Sequence, residues 1–145
     1  MFCVCEMGSN TTYHTRILNN VLNINGISYY RKITTTNNAG SSIVNMLYYN
    51  SNKLGFKSSA VVNTFMRDIN LFKFYYKSAD LAYGDTTFIT FILNHLKAGS
   101  NPDDEQDRAT MINNMMNYLN NIGTADNYVF SGDFNVYSSS EACFQ

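Results

Sequence analysis

The sequence predicts an α/β fold, a layered α/β sandwich of mixed, largely antiparallel sheets flanked by helices. Three observations lead there. Short β-branched and aromatic runs recur along the chain, and two segments carry helical periodicity. The order reads β-α-β, then several strands joined by turns, then α-β. Composition agrees: 145 residues at 45% hydrophobic and 14% charged can bury a core and are far from a disordered composition. The length suits one domain, or part of one, and neither an internal linker nor a repeat is visible.

Residues 1–6 read as a buried strand ending at Glu6, and Gly8-Ser9-Asn10 supplies a turn and a helix cap. Ile17, Leu18, Val21 and Leu22 recur at helical spacing across Thr11 to Leu22. Ile27 to Lys32 is a short strand, and Thr34 to Ser41 is a loop. Ser42 to Tyr49 and Leu54 to Thr64 flank the tight turn Asn50-Ser51-Asn52-Lys53, a hairpin pattern. Ile69 to Tyr76 is a further strand. A turn at Ala82-Tyr83-Gly84-Asp85 leads into Thr86 to Leu93, whose β-branched and aromatic content marks a central strand.

Asn101 then caps a helix, Pro102 suits its first position, and Asp103, Asp104 and Glu105 complement its dipole as a solvated acidic start. Arg108, Ile112, Met115, Met116, Leu119 and Ile122 keep the 3.6 spacing, with the Met pair assigned to the core. A strand from Tyr128 to Ser131 follows, and Ser138 to Glu141 looks like the start of another helix, capped by the serines.

A net charge of −1 removes any global basic field of the kind that advertises a non-specific nucleic-acid binder, while leaving a local groove open. Cys3, Cys5 and Cys143 form no disulfide framework; Cys3 and Cys5 read as packed core thiols on one face of a strand. His14 reads as an exposed helix residue with no role. No run approaches the ~18 apolar residues of a membrane span. No secretory leader is visible, which leaves the compartment open, secretion included.

The most informative feature is Gly132-Asp133-Phe134-Asn135, directly after the apolar run Tyr128-Val129-Phe130. A strand ending in Gly-Asp-x-Asn delivers an acid and an amide to a sheet rim. The carboxylate can hold a divalent metal or an attacking water, and the amide a phosphate oxygen or the nucleophile. A local turn, in which Asp and Asn bond nearby backbone, is the structural alternative. Glu6 and His95 also end apolar runs.

Together these residues resemble the endonuclease/exonuclease/phosphatase superfamily, the deoxyribonuclease-I-like group. Phe2-Cys3-Val4-Cys5-Glu6 is similar to the family strand that bears a metal-binding glutamate. Tyr29-Tyr30-Arg31-Lys32 and Ile43 to Leu54 are similar to its next strands. Phe91 to Ser100 is similar to the segment where members carry a His, and Ser131 to Val136 is the most specific match. The family's opening Asn-bearing strand belongs before residue 1. Its later Asp-bearing segment and Ser-Asp-His ending belong beyond Gln145. The chain therefore reads as a partial domain over 1–145, roughly the first half of a four-layer phosphoesterase fold. The fragment alone is expected to be inactive and prone to aggregate.

The resemblance implies metal-assisted phosphoester hydrolysis, with a phosphodiester, nucleic acid foremost, as substrate. A phosphatase or sphingomyelinase of the same chemistry and a non-catalytic interaction domain are the alternatives. Attack on an anionic phosphate needs charge neutralisation, which hard oxygen ligands and Mg²⁺ supply, with Mn²⁺ or Ca²⁺ as other options. The resemblance assigns Glu6 as metal ligand. Asp133 orients or deprotonates the nucleophile, Asn135 holds it or the phosphate, and His95 donates to the scissile phosphate. Arg67 and Lys97 are candidate phosphate contacts; a solvated strand start and a surface lysine are their structural alternatives.

Overall fold

The computed structural model describes residues 1–123 and 127–145. Its elements are β1 (Phe2–Gly8), α1 (Thr11–Ile17), β2 (Tyr30–Lys32), β3 (Ile43–Asn50), β4 (Leu54–Val62), β5 (Ile69–Tyr76), β6 (Phe88–His95), α2 (Pro102–Ile122) and β7 (Asn127–Asp133). A π-helical turn, Leu18–Leu22, extends α1, and a 3-10 turn, Ala79–Tyr83, precedes β6. One sheet runs β1-β3-β2, the other β4-β5-β6-β7. Among the described residues every pairing is antiparallel except β6 with β7, which α2 joins in parallel as a β-α-β crossover.

Strand alternation builds two cores. On β5, Phe72 and Phe74 face the first sheet, where they meet Met46, Leu47 and Tyr48, with Leu93 of β6 and Ile17, Leu18 and Leu22 packed on the same cluster. Ile69 and Leu71 face the other way, onto Met111 and Met115 of α2. The result is helix, sheet, sheet, helix. Each fully buried aliphatic or aromatic side chain of these cores contributes roughly 1.5–3 kcal/mol.

Several sequence expectations are corrected. The two strands around Asn50–Lys53 form no hairpin, because β1 and β2 occupy both edges of β3. The turn instead passes the chain to the second sheet, where β4 pairs with β5. Strand β1 is not buried. Among the described residues it has a strand partner on one side, β3, which leaves Cys3 exposed and Cys5 half-buried. His14, in contrast, is fully buried, its Nε2–H donating to Gly8 O at 2.7 Å.

On α2, Met115 is core but Met116 is 45% exposed. The acidic start is only partly solvated: Asp104 is buried and accepts from the Asn101 backbone N–H at 3.2 Å and from the Lys97 ammonium. No helix starts at Ser138. Successive turns run through Glu141 N–H to Ser138 O (3.2 Å) and Phe144 N–H to Glu141 O (2.9 Å), because the Glu141 carboxylate is drawn inward to Arg108.

Candidate active site

Three strand ends converge. In the parallel ladder His95 is the partner of Asp133 and Asn94 of Gly132, so the imidazole and the carboxylate emerge side by side. Leu96 N–H donates to Asp133 O at 2.9 Å and extends that ladder by one bond. Gly132 makes the approach possible: it has φ +138°, and a Cβ there would lie 2.0 Å from Asn94 O. No other residue type fits without parting the strands.

Glu6 arrives from β1. The β1–β3 register breaks between Val4 and Met7, a bulge that holds Glu6 at φ 57°. A non-glycine residue in this left-handed region is uncommon, and such strain concentrates at functional sites. The bulge swings the carboxylate outward, 70% exposed, with Oε1 3.7 Å from His95 Nε2. One residue earlier, the Cys5 thiol donates to Asn94 O at 3.3 Å and ties β1 to β6. Burial pushes that thiol above its ordinary value and keeps it protonated, as the bond requires.

Asn135 shares the left-handed region, at φ 49°. Its backbone N–H donates to Asp133 Oδ1 at 2.9 Å and its side-chain amide to Leu96 O at 3.0 Å. The local turn expected as the structural alternative is therefore present, and it is what orients the exposed Asp133 carboxylate. His95 is 3% exposed. Burial, then the Arg67 charge, lower its pKa against the opposing pull of Asp133 and Glu6, so the ring is neutral at neutral pH.

Arg67 lies behind this cluster. Thr64 Oγ1 donates to Arg67 O and accepts its N–H at 3.2 Å, fixing the loop before β5. The guanidinium Nη1 donates to His95 O (3.3 Å) and Leu96 O (2.9 Å), while Nε is buried with no partner among the described residues. Lys97 is not gathered into the cluster: its ammonium pairs with Asp104 and donates to Ala98 O at 2.6 Å. Asn94 is fully buried, neither amide atom has a hydrogen-bond partner among the described residues, and strand alternation turns it away from His95.

Among the described residues, no group of three or more His, Cys, Asp or Glu side chains is placed to hold a metal. What is present is one solvent-facing carboxylate on a strained bulge, flanked by a second carboxylate and a neutral imidazole. That donor chemistry fits a hydrated divalent ion held through one or two carboxylates, not an all-protein cage.

Sequence reasoning missed two elements. Asn45, buried between the sheets, donates to Leu93 O and Asp68 O, both at 3.2 Å. Arg108 pairs with Glu141 in the interior, Nε to Oε2 at 2.7 Å. An arginine at an apolar stripe position was the available signal, since a buried guanidinium requires an anion.

Neither a protein-family model nor a curated protein matches the sequence. Solved structures share the fold. The human Nocturnin catalytic domain with bound sulfate anion aligns at TM-score 0.68 and 17% identity, over 98% of this chain and 53% of that one. D. rerio TDP2, complexed with a single-strand DNA product, aligns at TM-score 0.58 and 13% identity, over 94% and 48%. ANGEL2, a 2',3'-cyclic phosphatase, aligns at TM-score 0.59 and 15% identity, over 98% and 41%. The layered α/β fold that the resemblance implied is thus shared with these solved structures. The chain spans about half the length of the solved structures it matches.

Proposed function

We propose that this chain carries the Glu6, His95, Asp133 and Asn135 groups of a metal-dependent phosphoester hydrolase acting on a nucleic-acid phosphodiester. One observation carries the reading. Glu6 and His95 lie 89 positions apart (95 − 6), and His95 and Asp133 lie 38 apart (133 − 95), yet all three meet at one rim, with strained backbone at Glu6 and Asn135. Nearly the same span aligns with a TDP2 complexed with single-strand DNA product and with a Nocturnin holding a sulfate. The cyclic phosphatase among the matches supports a phosphatase as the second reading.

Each residue has a role its geometry permits. Glu6 would hold Mg²⁺, or Mn²⁺ or Ca²⁺, through its exposed carboxylate. When bound, that ion neutralises phosphate charge and stabilises the leaving oxygen. Asp133 accepts the proton of the attacking water, its carboxylate aimed by the Asn135 N–H. Neutral His95 donates a ring N–H to a non-bridging phosphate oxygen, a bond that strengthens as charge develops. Asn135 keeps its side chain anchored on Leu96 O and so fixes the loop under the nucleophile. Arg67 supplies positive charge from behind the imidazole, its Nη1 already committed to carbonyls.

The test is Mg²⁺-dependent cleavage of a single-stranded oligonucleotide by the full-length protein that contains this chain. Asp133→Ala and Glu6→Gln are each expected to lower kcat by at least ~10²-fold with KM little changed. A full-length protein with no Mg²⁺-dependent turnover, or a fully active Asp133→Ala variant, would sink the proposal.

A further inference from the structure

Outside the rim, the described residues bury one ion pair that the chemistry above does not use. The Arg108 and Glu141 side chains are 0% and 2% exposed, and Arg108 Nε donates to Glu141 Oε2 at 2.7 Å. Such a pair is weak evidence for stability, because desolvating two charges offsets most of their attraction. Its partners show what it holds. Arg108 Nη1 donates to Lys97 O at 2.9 Å and Gly99 O at 2.7 Å, in the segment that leaves His95. Glu141 Oε1 accepts the Tyr137 N–H at 2.8 Å, in the segment that leaves Asn135. The guanidinium also lies 5.5 Å from the Tyr137 ring centroid.

We propose that Arg108, on helix α2, and Glu141, in the turns after Ser138, are positioning residues that together clamp the two loops carrying His95 and Asp133–Asn135. The catalytic significance rests on the hydrolase reading; the clamp itself does not. Each loop is anchored two residues beyond a functional residue, at Lys97 after His95 and at Tyr137 after Asn135. Between those anchors the loops meet through the Leu96 N–H bond to Asp133 O (2.9 Å) and the Asn135 amide bond to Leu96 O (3.0 Å). A planar guanidinium bridges two carbonyls and a carboxylate at once, which a lysine ammonium on its flexible stem does not reproduce.

The experiment is backbone amide hydrogen exchange on the full-length protein, comparing wild type with Arg108→Met/Glu141→Met and with Arg108→Lys. The double substitution replaces the pair by apolar bulk, so overall stability is expected to hold while the loop anchors are lost. The expected result is that exchange of the Leu96 and Asn135 amides rises about tenfold or more, while Leu71 and Phe72 in β5 keep wild-type protection. Arg108→Lys keeps the charge and is expected to raise the same two amides by a smaller factor. A uniform rise across β5 and both loops would reduce the pair to a general stabiliser and overturn the proposal, and so would unchanged exchange at Leu96 and Asn135. In the full-length protein the double variant should lose kcat with KM retained. If wild type has no turnover, the hydrolase reading fails while the exchange result still decides the clamp.

Discussion

Gly132→Ala puts the geometry of the rim to a direct test. A Cβ at this position falls 2.0 Å from Asn94 O, where 3.0 Å is the closest approach real Cβ atoms show, so the strands must part by about 1 Å. The obstacle is backbone, which no rotamer change relieves. Gly132 also sits at φ +138°, which adds roughly 1–3 kcal/mol of backbone strain for alanine. Parting β6 from β7 at this point weakens the Leu96 N–H bond to Asp133 O and the Asn135 amide bond to Leu96 O, at about 1 kcal/mol each. The sum is on the order of 3–5 kcal/mol, or about 10 °C in Tm for a chain of this size.

Gly84→Ala is the matched control. Gly84 has φ +88°, but an added Cβ there meets nothing within 4 Å, so only the strain of about 1–3 kcal/mol applies. The assay is a pair of denaturant melts of the full-length protein, read by circular dichroism, with oligonucleotide cleavage beside them. Gly132→Ala should melt well below Gly84→Ala. It should also lose cleavage by about 10²-fold, as expected for ~1 Å of misplacement between reacting groups. Equal melting of the two variants would refute the close-approach argument.

Two further outcomes follow from the same site. Glu6→Gly relieves the left-handed backbone at φ 57° and should raise stability by about 0.5–1 kcal/mol in a denaturant melt while abolishing Mg²⁺-dependent cleavage, a stability gain opposed to function. His95 has its pKa lowered by burial and by Arg67, against Asp133 and Glu6, so the unfolded chain binds its proton first as the medium acidifies. Its neutral-form stability is complete above about pH 6.5 and is lost as pH falls from there through the folded pKa. His95→Gln should flatten that part of the stability-against-pH curve, and an unchanged curve would contradict the assignment.

Much of this was legible in the chain because it is encoded locally. Alternation in Ile69 to Tyr76, the Asn101-Pro102 helix start and the Gly-Asp-x-Asn strand end each depend on neighbours within a few residues. The candidate residues at Glu6, His95, Asp133 and Asn135 were visible as polar residues at the ends of apolar runs. Lys97, two residues after His95, read as a candidate phosphate contact, and the fold instead gave it to Asp104.

What the tertiary structure alone decided is non-local. Whether β3 pairs with β4 depends on β1 and β2 already filling both of its edges, a competition between strands far apart in sequence. The bulge at Glu6 exists because the register to β3 breaks there, and neither strand announces it. Arg108 and Glu141 stand 33 residues apart, and nothing local couples a helix position to a serine-rich turn. The residue types that can do chemistry are a property of the sequence, whereas the distances between them come from long-range packing, which a one-dimensional pattern carries only in sum.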